Sequence, residues 1–344
     1  MTLFDDIQNA LQQQRPFVIY NKAGSDRLKA IIQQNDQVYY SDELNESGFV
    51  FAPFLKNTAP ILIPLAESIC KEVHFNPQQV TVKPSTITDL NSAAQQHIQL
   101  VKKAVETIES GAFQKVVLSR SEVVSIRKGT LLSIFERLLH SYPNAFTYLW
   151  YHPKIGLWSG ATPETLVTVN DKKFRTMALA GTQVYRGSID VEWGAKEIEE
   201  QQMVTEYICE QLSSLAPDLH CGPLHTAKAG SLLHLKTMIT GTYEGALSTL
   251  VNRLHPTPAV CGLPKEAALD FINKHENYSR KYYTGYLGEV DIQKQTELFV
   301  NLRCMELETS KATLYIGGGI TVDSIPENEW EETVAKSKVM KQVL

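Results

Sequence analysis

FTYLWYHPKIGLWSGATPETLVTVNDKKFRTMALAG, residues 146–181, packs four short runs of β-branched and aromatic residues into one stretch: FTYLWY (146–151), IGLWSG (155–160), TLVTV (165–169) and FRTMALAG (174–181). Only tight turns fit between them, and Asp171-Lys172-Lys173 reads as one such turn. Outward toward the N-terminus, a helix over about 131–139 ends near Pro143, and KVVLSR (115–120) is a strand. Before it lies a helix from about Ser92, with Ile98, Val101, Val105 and Ile108 on one face and Gly111 as its stop. In residues 1–90 the apolar runs FVIY (17–20), FVFAPF (49–54) and APILIPL (59–65) read as strands with turns, and none carries chemistry. Toward the C-terminus come a long helix over about 195–213, LKTMITGTYEG (235–245), a helix over about 265–274, the strands ELFVNLRCMEL and ATLYIGGGI, and a last helix from about Glu327. Strands in hairpin-like series with helices between them predict an α+β fold with mainly antiparallel sheets. No Pro/Gly/Ser-rich linker divides the 344 residues, so one large domain is expected.

Composition narrows the function classes. Hydrophobic residues make up 43% and charged residues 21%, as in a globular protein, and the net charge of −5 argues against nucleic acid or an acidic membrane as partner. Cys70, Cys209, Cys221, Cys261 and Cys304 are odd in number and form no CxxC, which indicates neither a disulfide framework nor a zinc site. With no basic-then-apolar leader and no run of about 18 apolar residues, the expectation is a cytoplasmic protein without a membrane partner.

Two acidic pairs stand out. Glu197 and Glu200 in KEIEEQQMV, and Glu329 and Glu332 in ENEWEETVAKSK, are each spaced i,i+3 on a predicted helix and project from one face. Four carboxylates on facing helices would form an oxygen-only site suited to Mg²⁺, although such pairs also occur on solvated faces. Lys336 continues the second face, either in an ordinary i,i+4 pair with Glu332 or as a cation holding an anionic ligand. Arg303 in an alternating strand allows solvent exposure or a place in a cavity, and GGGI (317–320) reads as a turn or as backbone that a small ligand can approach. Lys115 opens an apolar strand, and Glu164 heads TLVTV. From spacing alone each is a solvated strand-end residue, but together in one cavity they would suit proton transfer, provided desolvation outweighs their mutual attraction. His234 and His255 have no partner at metal-ligand spacing and read as structural.

Taken jointly, FQKVVLSR (113–120), GATPETLV (160–167), ALAGT (178–182), KEIEEQQMV (196–204), LLHLKTMITG (232–241), HPTPAVCG (255–262), YYTGYLG (282–288), NLRCME (301–306), YIGGGI (315–320) and EWEETVAK (329–336) resemble the chorismate-utilising enzymes. That family contains isochorismate synthases, salicylate synthases, anthranilate synthase component I and aminodeoxychorismate synthase. The resemblance covers residues 91–344, with 1–90 as a more variable part of the same domain, and implies face-to-face antiparallel sheets flanked by helices. It implies Mg²⁺ on Glu200 and Glu332, with Glu197 and Glu329 beside them directly or through water. Arg303, Lys336 and His234 would contact chorismate, and Gly181, Thr182, Ala259 and Gly317 would line the site.

Water-using members resemble this chain at Lys115, where ammonia-using members carry Gln. The resemblance therefore implies that Lys115 deprotonates water attacking C2 while Glu164 protonates the departing C4 hydroxyl. Ala259 stands where lyase-type members often carry Thr, which favours isochorismate over salicylate and pyruvate. One departure is Gln201, where relatives often have a His beside the metal Glu. The implied protein is an isochorismate synthase, an isomerase of the hydroxyl-transferring class serving menaquinone or, alternatively, siderophore synthesis. It is expected to be a monomer needing no amidotransferase subunit.

Overall fold

The computed structural model describes residues 2–76, 91–229 and 232–344. The chain begins with α1 (Leu3–Gln12), β1 (Phe17–Asn21), β2 (Arg27–Gln33), β3 (Tyr39–Tyr40), β4 (Gly48–Ala52), β5 (Ile61–Pro64), β6 (Ser68–His74) and α2 (Asn91–Glu109). Then follow β7 (Lys115–Ser125), α3 (Leu131–Ser141), β8 (Phe146–His152), β9 (Gly156–Thr162), β10 (Thr165–Asn170), β11 (Lys173–Val184) and α4 (Ala195–Ser213). The remainder is β12 (His220–Cys221), β13 (His225–Ala229), β14 (Leu232–Thr242), α5 (Leu247–Leu254), β15 (Gly262–Leu263), α6 (Lys265–His275), β16 (Tyr286–Ile292), β17 (Gln295–Val300), β18 (Cys304–Leu307), β19 (Lys311–Ile320) and α7 (Pro326–Lys341).

The strands form two antiparallel sheets. The first runs β15-β7-β19-β18-β9-β8-β1-β2-β6 and the second β12-β14-β11-β10-β17-β16-β4-β5-β3, with β13 also on β14. Between them lies an aromatic layer in which Phe51 stacks on Tyr282 and packs against Trp150, while Trp158 stacks on Tyr315. Helices α1 and α3 cover the outer face of the first sheet, and α4 and α5 that of the second. Helices α2 and α6 bury the end where β7 meets β15. The fold is α+β, as the hairpin series predicts, and Asp171 and Lys172, both at positive φ, make the β10–β11 turn.

Four local readings are corrected. Helix α1 lies where only strands were expected; Thr2 Oγ1 accepts the Asp5 N–H and Asp5 accepts the Thr2 N–H, while Leu3, Ile7 and Ala10 share its buried face. The glycine run does not turn. Gly317, Gly318 and Gly319 continue β19 opposite Ser119, Leu118 and Val117, and a Cβ on Gly317 would sit 2.8 Å from the Tyr283 hydroxyl. Arg303 is outside any strand, at φ +47 in the link between β17 and β18. Finally, Cys209 of α4 and Cys221 of β12 are joined as a disulfide. Their spacing gave no sign of it, because the pairing depends on β12 folding back along β14, against which α4 packs.

Candidate active site

Two features of the topology create the site. The chain leaves the first sheet after β9 and enters the second at β10, with Pro163 and Glu164 in the link; it returns from β17 to β18 through residues 301–303. The two crossovers lie side by side. Val300 N–H donates to Glu164 O (2.9 Å), Ala161 N–H to Arg303 O (3.1 Å), and the Thr162 hydroxyl to Val300 O (2.6 Å). A strand pair thus delivers an acid and a guanidinium to one edge of the sandwich.

Around them opens a cavity of about 260 Å³ whose wall includes every residue that the resemblance assigns to the metal, the substrate or proton transfer. Strand β7 contributes Lys115, β11 and its bulge Gly181 and Thr182, and β14 His234; β19 contributes Gly317 and the segment before β15 Ala259. Helix α4 brings Glu197 and Glu200, and α7 brings Glu329, Glu332 and Lys336. Gly181, at φ +65, lets the first turn of α4 approach: a Cβ there would lie 3.1 Å from the Glu197 Cβ. Lys196, Tyr283 and Thr284 also line the cavity and were not singled out, although Lys196 sits inside KEIEE and the other two inside YYTGYLG.

Lys115 and Glu164 are not the solvated strand-end residues that spacing suggests, being 2% and 6% exposed. Burial lifts the Glu164 carboxyl to about 7, against the opposing pull of Lys115 and Arg303. Lys115 Nζ lies 2.6 Å from Glu200 Oε1. For Glu200 burial acts upward, but the charge and hydrogen bond of Lys115, the Gly181 amide and Lys196 prevail and hold it below the usual carboxylate range. His234 is also drawn into the site. Burial lowers it to about 4, so it is neutral, and Nδ1 lies 3.0 Å from Gly181 O and 3.2 Å from Thr182 Oγ1. The carbonyl assigns the ring proton to Nδ1 and leaves Nε2 as an acceptor. His255, by contrast, is structural: it is buried, with Nε2 3.1 Å from Phe54 O.

The carboxylates suit a hard divalent cation in kind. A Cβ on Gly318 would lie 3.7 Å from oxygens of both Glu329 and Glu332, and one on Gly319 would lie 3.5 Å from Glu200 Oε1, so bare backbone forms a cradle beneath three acidic groups. Burial, reinforced by Glu332, pushes the Glu329 carboxyl up, a crowding that a cation would relieve. Among the described residues no three His, Cys, Asp or Glu side chains are grouped closely enough to hold a metal ion, and Glu200 and Glu332 are each engaged 2.6 Å from a lysine, Lys115 and Lys336. Lys336 also donates to Gly317 O at 3.0 Å.

A family model described as chorismate binding enzyme matches residues 61–344. Isochorismate synthase MenF of Escherichia coli (strain K12) is 31% identical over 288 residues, 77% of this chain and 65% of that protein, so the match spans just under two thirds of the relative's length. The vibriobactin-specific isochorismate synthase of Vibrio cholerae is 28% identical over 353 residues, covering 97% of this chain and 86% of the relative. Among solved structures, the menaquinone-specific isochorismate synthase MenF from Escherichia coli superposes with a TM-score of 0.82 at 22% identity, over 97% of this chain and 90% of that one, a likeness of fold.

Proposed function

This chain belongs to the chorismate-binding enzymes, and from that premise we propose that it is an isochorismate synthase. Water adds at C2 of chorismate and gives its proton to Lys115. The ring double bonds shift, the C4–oxygen bond breaks, and the hydroxyl leaves as water with the proton of Glu164. Water consumed equals water released, and no electrons are gained or lost. The observation that carries the proposal is the carboxyl of Glu164, buried and lifted to about 7 in the same cavity as an equally buried lysine. That value leaves a proton available to donate near neutrality. Lys115 can take that proton only as the neutral amine, free of its 2.6 Å pair with Glu200.

Glu197, Glu200, Glu329 and Glu332 would hold Mg²⁺, which when bound supplies positive charge for the ring carboxylate of the substrate. Arg303 and Lys336 offer cations to its anionic groups, and Nε2 of neutral His234 accepts a hydrogen bond from a hydroxyl. Ala259 leaves the enolpyruvyl side apolar, which favours release of isochorismate. Purified protein given chorismate and Mg²⁺ should accumulate isochorismate; salicylate with pyruvate would identify a salicylate synthase instead.

The likeness to MenF favours menaquinone synthesis as the destination. The longer alignment with the vibriobactin-specific relative supports a second reading, siderophore synthesis. A transcript that rises under iron starvation would decide for the second.

A further inference from the structure

Behind the cavity wall lies an ion pair sealed from solvent. Arg280 and Glu276 side chains are each 2% exposed, with Arg280 Nε 2.8 Å and Nη2 2.6 Å from the Glu276 carboxylate. Stability alone gives no reason for it, since a buried pair loses in desolvation much of what it gains in attraction. Its remaining hydrogen bonds are more informative. Strand β15 is two residues long and pairs with β7 only at Lys115 and Val116, after which Val117 N–H reaches Cys261 O at 2.8 Å. There the ladder ends, because Cys261 N–H turns away to Thr257 O.

The ion pair continues the ladder. Arg280 Nη2 donates to Val117 O at 2.7 Å, and Glu276 Oε1 accepts both the N–H and the hydroxyl of Ser119 at 2.8 Å. The same guanidinium donates through Nη1 to Val260 O at 2.9 Å and reaches Thr284 Oγ1 at 3.4 Å, and it lies over the Phe54 ring. Val117, Val260 and Thr284 all line the cavity, and Val117 and Val260 are near neighbours in sequence of Lys115 and Ala259.

We propose that Arg280 and Glu276 are positioning residues for the reaction. Two side chains replace a missing strand, clamp β7 two and four residues beyond Lys115, and tie it to the backbone beside Ala259. They thereby set the distance between the proton acceptor and the wall facing the enolpyruvyl group. The inference rests on the isochorismate synthase reading. A wild-type protein that makes no isochorismate would defeat that reading, whereas the outcomes below require an active wild type.

Arg280→Lys keeps the charge but cannot span the Val117 and Val260 carbonyls together. Glu276→Gln keeps the shape and an acceptor for Ser119, with a neutral group facing the arginine. For variants with wild-type circular dichroism and a cooperative melt, kcat should fall by about tenfold to hundredfold for Arg280→Lys, as expected for misplacement of a reacting group, while KM changes less than about threefold. Pyruvate should appear beside isochorismate as the wall loosens, and Glu276→Gln should show the same pattern with a smaller loss. If Arg280→Lys does not fold, Glu276→Gln decides by the same signs. Folded variants with kcat within about twofold of wild type and no pyruvate, a loss confined to KM, or failure of both to fold would each overturn the assignment.

Discussion

Replacing Glu164 with Gln should abolish most turnover while making the protein more stable above neutral pH. A Glu in water ionises near 4.5, and the buried Glu164 near 7, a difference of about 2.5 units or about 3 kcal/mol. The folded state holds its proton more tightly than the unfolded chain. This contribution to stability is therefore complete below about pH 4.5 and disappears as the pH rises through about 7. Gln mimics the protonated form at every pH. Between about pH 5.5 and about pH 8.5 the stability of wild type relative to Glu164→Gln should decline by about 2 kcal/mol, readable as diverging urea midpoints. Turnover should drop about 10²- to 10⁴-fold, the range for loss of a positioned acid, and wild-type activity should fall on an alkaline limb centred near 7. Parallel pH–stability curves for the two proteins would refute the buried, neutralised carboxyl. A variant that still turns over chorismate at near-wild-type rate would refute its role as acid.

Lys115→Ala should also lose about 10²- to 10⁴-fold in isochorismate formation while chorismate still binds, as equilibrium titration would show; a rate within a few-fold of wild type would remove Lys115 as the base. Glu200→Ala and Glu332→Ala should each raise the Mg²⁺ concentration needed for half-maximal activity by at least about tenfold, and unchanged titrations would reject the ligand assignment.

What sequence reveals here is set by range. The two Glu pairs are legible because i,i+3 spacing fixes a helix face locally, and α4 and α7 form where that spacing places them. The β8–β9 and β10–β11 hairpins are also legible because their pairing is local, whereas nothing local marks the crossover between β9 and β10 from one sheet to the other. Burial of Lys115 is not local: β7 turns Val116 and Leu118 toward α2 and α6, while Lys115 faces the cavity, beside Gly319 of β19 and against Glu200 of α4. The glycine run misleads because permissive backbone looks alike in a turn and in a strand pressed against Tyr283. Glu276 and Arg280 carry no local mark beyond their i,i+4 spacing, and their role emerges only where the end of β15 leaves one edge of β7 unpaired beside them. Family resemblance supplied what spacing could not, by bringing ten short segments into one frame.

The double crossover explains why acid and cation arrive together, and it can be broken at one atom. Thr162 is fully buried; its hydroxyl donates to Val300 O at 2.6 Å and accepts the Glu164 N–H at 3.3 Å, bolting the outgoing link to the returning one. Thr162→Val keeps the β-branched shape, deprives a buried carbonyl of that donor and releases the backbone of Glu164. The loss of stability should be about 1–3 kcal/mol. If the bolt also aims the carboxyl, kcat must fall further than the folded fraction, and the alkaline limb near 7 should move downward as the loosened link admits water to Glu164. A variant that is destabilised yet retains wild-type kcat and the same limb would show that the remaining backbone bonds between Glu164 and Val300 and between Ala161 and Arg303 suffice, and that the threonine serves the fold alone.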